Sequence, residues 1–392
     1  MGDSLLLYIS VPFYRSADGG MYVERQATNG LRLWAENFDQ VTVLAPLEAG
    51  PPRTGWVRWQ GHRGIRFEPM PDGYRPDRFI RHLPKQCRRI SDLIDGADYL
   101  CFGIGGLFGD WGAVAALLAD SKGRSFAVWT DRVESDVVRL SARSGALRQR
   151  IKASLAHRPM ATLERTVIRR AELGLFHGAE TYQAYSALPR HAVLAHNIHL
   201  SAAERIKPHA LSAKRAALRK GAFHIVYAGR VHWSKGWSDW LYVIARLRAR
   251  GIEVVATWLG SGPDLETFRS EVERLGLGEF VSTPGFVDDR RTVQAVLARA
   301  HILLFCHKTR ESPRVLIEAL MQGTPLVGYG DAYSHDLLST AGGGALVPRD
   351  DVTGLVELVG DLAKDNHALD GLVERAAVEG SRFDDASVFA HR

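Results

Sequence analysis

Between residues 301 and 329 the chain passes from an apolar run through a polar loop into a helix with no polar face, then back into a strand. Few folds accept that order. Residues 301–306 form the first apolar run. Ser312 suits an N-cap and Pro313 a first helical position, so a helix is predicted to start there. Gly323 and Pro325 stop it, and residues 326–329 resume as a strand. Val315, Leu316, Ile317, Ala319, Leu320 and Met321 make the helix apolar nearly all round, the mark of a buried one. Glu318 stands in its middle, where an ionised carboxylate is costly unless something pairs with it. Glu311 lies just before the cap, where free N–H groups and the positive helix end favour an anion. Together they suggest a site for a polyol phosphate. The plain alternative makes Glu318 a structural ion-pair partner and Glu311 a surface charge.

The same alternation runs through the first half. Residues 5–10 read as a strand, 11–20 as a loop ending in Gly19 and Gly20, 21–38 as a helix and 40–45 as a strand. A glycine pair in such a loop lets backbone N–H groups approach a ligand. Further strands are predicted at 65–70, 99–104, 126–130, 173–176 and 192–195, with helices at 80–94 and 113–118. Alternating strands and helices imply a parallel sheet covered on both faces. The glycines from Gly103 to Gly109 fail the dinucleotide fingerprint, because Phe108 stands where its third glycine belongs. Asp131, in Trp129-Thr130-Asp131-Arg132, ends a strand at the carboxyl edge, where open α/β sheets hold ligands. It could contact a sugar hydroxyl, face a reacting carbon, or simply cap the loop.

With 392 residues there is length for two domains, predicted at 1–205 and 222–380, with a polar, basic linker between them. The formal net charge of +6 fits anionic small molecules, anionic lipid surfaces or nucleic acid without choosing among them. Arg139, Arg143, Arg148, Arg150, Lys152, Arg158, Arg165, Arg169 and Arg170 stand against Glu164 alone, with Leu147, Ile151 and Leu155 spaced among them. That pattern is either a basic amphipathic helix resting peripherally on an anionic membrane or a solvated helical face. It lacks the interleaved aromatics of a nucleic-acid surface, so no nucleic-acid partner is expected. Three separated cysteines, the lack of a signal pattern and of an apolar run of roughly 20 residues point to the cytoplasm. The pairs His196/His199 and Asp288/Asp289 are too few to hold a metal, and none is expected.

In the second half, residues 223–228 read as a strand followed by Gly229-Arg230 and Lys235-Gly236, then a helix with Trp237, Trp240, Leu241, Ile244 and Leu247 on one stripe. Arg230 as a fork and Lys235 as a point charge suit a diphosphate. The loop is not a P-loop, since the required order of glycines, lysine and hydroxyl is absent. Gly260-Ser261-Gly262-Pro263 and Gly285-Phe286-Val287 close the next two units.

Taken in order, Gly229-Arg230…Lys235-Gly236, Gly260-Ser261-Gly262-Pro263, Gly285-Phe286-Val287 and Glu311…Glu318-Ala319-Leu320…Gly323-Thr324-Pro325 resemble the retaining GT-B glycosyltransferases, in particular glycosyltransferase family 4. The resemblance implies an α/β fold of two Rossmann-like doubly wound domains facing a cleft, with residues 381–392 returning to the first. It implies a sugar moved from a nucleotide-diphosphate-sugar co-substrate to a glycan or lipid-linked acceptor hydroxyl, with no further cofactor. Arg230 and Lys235 would hold the diphosphate, and Glu318 the ribose hydroxyls. Glu311 would contact the transferred sugar. Gly229, Gly260, Ser261 and Ser312 fall in the loops that line the donor. The backbone at Val315 and Leu316 would lie near the phosphates, that near Val287 near the base, and Gly20 beside the diphosphate. Asp131 takes the place of a histidine that this family often carries near the reacting carbon. Glu311 and Glu318 have one fewer residue between them than is usual, so either the loop is shorter or Arg310 fills the first glutamate's place. A nucleotide-sugar epimerase or hydrolase would share the fold, and a basic nucleic-acid-binding protein is the alternative from another class.

Overall fold

The computed structural model describes residues 2–50, 56–141, 147–218 and 220–391, and the chain divides into two compact units. The first comprises Met1–His199 with Phe389–Arg392, the second Leu200–Val388.

The first unit is built on β1 (Ser4–Tyr8), β2 (Phe13–Arg15), β3 (Met21–Glu24), β4 (Gln40–Ala49), β5 (Trp56–Arg58), β6 (Ile65–Met70), β7 (Tyr99–Gly103), β8 (Ala127–Thr130), β9 (Leu173–His177) and β10 (His191–Ala195). Strands β10, β9, β8, β7, β1, β4 and β6 lie side by side and all parallel. Leu5, Leu6, Leu7 and Tyr8 are all buried, as expected of a central parallel strand covered on both faces. The covering helices include Pro76–Asp95, Trp111–Ser121 and Leu147–Arg170. Phe389 returns to this unit and packs edge-on against Trp34, with ring centroids 5.0 Å apart.

One predicted element differs. The helix expected over residues 21–38 covers only Arg25–Asn37, because Met21–Glu24 is strand β3. It pairs antiparallel with β2 (Tyr14 opposite Tyr22) and with β5. Tyr14 also meets Trp56 edge-on at 4.7 Å. Aromatic Tyr22 and β-branched Val23 favour a half-buried sheet over a helix start. Gly19 and Gly20 are consequently a hairpin turn, not a strand-to-helix loop.

The second unit holds β11 (Phe223–Ala228), β12 (Val254–Leu259), β13 (Val281–Gly285), β14 (Ile302–Phe305), β15 (Leu326–Tyr329) and β16 (Gly344–Val347). They form one parallel sheet in the order β13-β12-β11-β14-β15-β16. The chain moves outward from β11 through β12 to β13, then crosses to β14 and moves outward the other way. The reversal falls between β11 and β14. The residues read as a linker contain the helix Pro208–Ala217, which belongs to this unit. Lys214 is buried and donates to Thr324 Oγ1 at 2.6 Å and Gln322 O at 3.3 Å, while Arg215 pairs with Asp370 at 2.7 Å. Polar composition suggested a tether there, but these long side chains are paired, so the segment packs.

Candidate active site

Ligands of open parallel sheets sit outside the carboxyl ends of the strands where strand order reverses. In the second unit that place is framed by the loops after β11 and β14. Gly236 lets them touch: its φ is +65° and a Cβ there would lie 1.9 Å from Cys306 O. Lys308 N donates to Ser234 O at 2.8 Å across the same contact. Lys235 and Glu311 are thereby brought together, Nζ to Oε2 2.5 Å, each side chain 16% exposed. Arg230 projects from the same β11 loop and is exposed.

The loop after β12 is tied to its neighbours through backbone bonds. Gly229 N donates to Leu259 O, Gly260 N to Gly285 O and Val231 N to Ser261 O, at 2.8, 2.8 and 3.1 Å. The N–H groups of Gly229 and Gly260 are therefore engaged in shaping the loops. Ser261 is exposed, Val287 half-buried, and Phe286 between Gly285 and Val287 is exposed.

The apolar helix spans Arg314–Met321, with Pro313 at the N-cap position and no side-chain cap bond. Ser312 thus lies one residue before the cap it was expected to form; Pro313, fixed near φ −72°, takes that place. Val315, Leu316, Ile317, Ala319, Leu320 and Met321 are buried as their pattern required. Glu318 is half-buried, and among the described residues none hydrogen-bonds its carboxylate. Burial raises its pKa, opposed by the charges of Arg314 and Arg290. A carboxylate held this way retains its acceptor capacity for a ligand hydroxyl.

Residues that sequence reasoning passed over also converge here. The Tyr227 hydroxyl meets His307 Nε2 at 2.8 Å, both buried. Burial, reinforced by the Lys235 charge, pushes His307 down to about 3, so its imidazole is neutral. Lys308 is held between Asp239 and Asp350, with Tyr329 bonded to Asp239. In the sequence His307 is one polar residue closing an apolar strand, and nothing local distinguishes it.

Gly19, Gly20 and Asp131 lie in the first unit, while the remaining candidates all lie in the second. Gly19 N donates to Ser16 O at 3.0 Å and Gly20 N to Asp18 Oδ1 at 3.1 Å, so the turn uses both groups. Asp131 is exposed beyond the end of β8. Nearby Glu134 is more enclosed, paired with Arg132 at 2.5 Å and raised chiefly by burial. Among the described residues no three His, Cys, Asp or Glu side chains gather as metal ligands.

Residues 222–365 match the family described as Glycosyl transferases group 1. A 2-deoxystreptamine N-acetyl-D-glucosaminyltransferase of Streptomyces fradiae is 30% identical over 141 residues, 36% of this chain and 33% of its own length. The chain thus spans about a third of that relative in the match. The Anabaena HepE structure, in complex with UDP, superposes with a TM-score of 0.67 at 15% identity, covering 99% of this chain and 97% of that one. WaaG, a glycosyltransferase involved in lipopolysaccharide biosynthesis, gives 0.65 at 13% identity over 98% and 97%. The chain has the GT-B fold of two Rossmann-like domains, and residues 222–365, in its second domain, match the Glycosyl transferases group 1 family.

Proposed function

We propose that the protein is a retaining glycosyltransferase of family 4 type, moving a sugar from a nucleotide-diphosphate-sugar to an acceptor hydroxyl. The observation that carries this reading is the Lys235–Glu311 pair beside Arg230 at the β11/β14 reversal, followed by a helix whose Glu318 carboxylate has no hydrogen-bond partner among the described residues. Arg230 and Lys235 bind the diphosphate and stabilise the charge it gains on leaving. Glu318 accepts hydrogen bonds from the ribose hydroxyls, and Glu311, adjoining Lys235, contacts the transferred sugar. The helix end at Ser312, with the backbone at Val315 and Leu316, adds positive potential toward the phosphates. Asp131 is the first unit's candidate beside the reacting carbon. On this reading neither a metal nor a resident cofactor is required, because these cations and the helix end meet the leaving charge.

HepE was crystallised with UDP, and the Streptomyces relative is named for transfer to an aminocyclitol. WaaG serves lipopolysaccharide synthesis. These names support a uridine diphosphate donor and a glycan or lipid-linked acceptor, in polysaccharide or related glycan assembly. Peripheral contact with an anionic membrane, from the cytoplasmic side, is part of the same proposal. On the Leu147–Arg170 helix, Ile151 and Leu155 are 53% and 72% exposed beside exposed Arg150, Lys152 and Arg158. Among the described residues no helix is long and apolar enough to cross a membrane. Arg143 lies outside the described residues, as does the side chain of Arg148.

Thermal unfolding with UDP, GDP and ADP in turn tests the donor site. At about 100 times its dissociation constant the right ligand stabilises the native state by about 2.7 kcal/mol. A shift with one diphosphate, lost in Glu318→Ala, supports the assignment. No shift with any of them sinks it.

A further inference from the structure

We infer that the first unit carries a saccharide-binding platform formed by Tyr74, Phe79 and Phe108, which takes a neutral pyranose ring of the acceptor. This deepens the glycosyl-transfer reading and rests on it. The loops after β6 and β7 are locked back to back. Gly109 has φ +79°, and a Cβ there would lie 2.9 Å from Gly73 C and 3.0 Å from Tyr74 N. Trp111 Nε1 donates to Pro71 O at 3.0 Å, fixing the β6 loop to the start of the Trp111–Ser121 helix. Trp111 is fully buried, with Phe79 4.8 Å away, and Phe108 stands edge-on to Phe79 at 6.1 Å. Yet Tyr74 is 53% and Phe108 38% exposed. Two large rings are therefore held in water by loops whose backbones leave them little freedom.

The platform lies at the carboxyl edge of a parallel sheet, the edge at which such sheets bind ligands. Its rim decides between a sugar and an acyl chain. Arg78 pairs with Asp72 at 2.7 Å, and Arg75 forks onto Asp77 at 2.9 and 3.1 Å. Paired guanidinium and carboxylate groups offer both hydrogen-bond donors and acceptors and carry no net charge. That surrounding suits a ring that is apolar on its C–H face and hydroxylated at its edge, because the C–H face meets the negative face of an aromatic ring. An acyl chain gains nothing from the rim, and an anion meets as many carboxylates as guanidinia.

Saturation-transfer NMR on the full chain, with methyl α-D-glucopyranoside, N-acetylglucosamine, maltose and submicellar decyl maltoside as probes, tests this. Saturation of sugar-ring C–H protons is expected with at least one probe, weakened roughly three- to tenfold by Tyr74→Ala and by Phe108→Ala. Both side chains are exposed, and unchanged unfolding midpoints will confirm that the variants fold. Ring saturation equal in wild type and both variants overturns the proposal. So does saturation confined to the decyl chain, or none with any probe. The nucleoside diphosphate shift, measured on the same samples, separates the two readings. If it is absent in wild type while ring saturation falls in the variants, the donor assignment fails and the platform stands. If it is present and the ring is not bound, the platform alone fails.

Discussion

In the second unit, the loops after β11 and β14 carry an exposed Arg230 and a Lys235–Glu311 pair, and the helix that follows carries a half-buried Glu318 whose carboxylate has no hydrogen-bond partner among the described residues. In the first unit, the loop after β7 and the Leu147–Arg170 helix carry buried carboxylates, Asp110 and Glu164, but their oxygens are taken. Asp110 accepts from the N–H groups of Gly105, Gly106 and Ala113 at 3.0, 3.1 and 2.9 Å. Glu164 accepts from Ser135 N at 3.1 Å and Tyr185 OH at 2.9 Å. Burial raises the pKa of Asp110, Glu164 and Glu318 alike, so the direction of the shift does not tell a structural carboxylate from a binding one. Occupied acceptor capacity does. A polar group partly withdrawn from solvent without a partner is destabilising, and its retention points to a ligand.

The sharpest way to break this contrast is to remove the second unit's cations. Arg230→Ala and Lys235→Ala should each lower kcat on the order of 10²–10³-fold, the range for losing one preorganised stabiliser of transition-state charge. The unfolding midpoint of Arg230→Ala should stay near wild type, because Arg230 is exposed, whereas Lys235→Ala leaves the enclosed Glu311 without its cation and should also lower stability. Near-normal turnover in both variants would remove the basis for reading the β11/β14 reversal as the reaction site.

Glu318 gives the next largest effect. Glu318→Ala should abolish a nucleoside diphosphate shift of about 2.7 kcal/mol at saturating ligand. Glu318→Gln sharpens the test through pH. Burial lifts the Glu318 carboxyl above its ordinary value of 4.5, so the folded state holds that proton more tightly than the unfolded chain. The stability this contributes is fully present below the unfolded value and is lost as pH rises through the folded one. Wild type and Glu318→Gln should accordingly be closest in stability near about pH 4, with the variant gaining relative to wild type toward about pH 7. Urea midpoints at the two pH values measure this, and a pH-independent difference would mean that Glu318 is solvated or paired after all.

What was legible in the sequence follows the same division. The strand, loop and helix around Glu318 could be read because its apolar residues, its cap and its stop fall within twenty consecutive positions, 310–329. Arg230 and Lys235 stand out because a glycine-bounded loop after a strand has few other uses for two cations, and the fold sets Lys235 against Glu311 there. The β2–β3 hairpin could not, since its pairing depends on β4 and β5, which are distant along the chain. Tyr227–His307 and the proposed Tyr74–Phe108 platform also escaped, because each joins residues far apart in the sequence whose meeting only the fold determines. Local punctuation reveals a site built from one loop and one helix. A site assembled from several loops leaves no such trace.

The first unit's structural carboxylates supply the converse test. Asp110→Ala leaves three backbone N–H groups without their acceptor, two of them in the loop after β7. A loss of about 1–3 kcal/mol in stability is expected, with the diphosphate shift of the second unit unchanged. If Asp110→Ala abolished that shift while leaving stability intact, the assignment of satisfied carboxylates to structure and unsatisfied ones to binding would be wrong.

The smallest expected effect lies on the Leu147–Arg170 helix. Its exposed Ile151 and Leu155 are apolar, and neighbouring Arg150, Lys152 and Arg158 are basic, so on the proposed membrane contact attraction to an anionic surface and insertion of apolar groups would act together. Removing one basic charge near such a surface weakens partitioning by roughly fivefold. Lys152→Glu should therefore reduce co-sedimentation with phosphatidylserine-containing vesicles at least that much, while leaving vesicles of neutral lipid and turnover on a water-soluble acceptor unaffected. Raising the salt should weaken wild-type binding in the same direction, since attraction between exposed charges is screened within about a Debye length. Vesicle binding insensitive to both salt and Lys152→Glu would make this helix face a solvated surface and remove the basis for the proposed membrane contact.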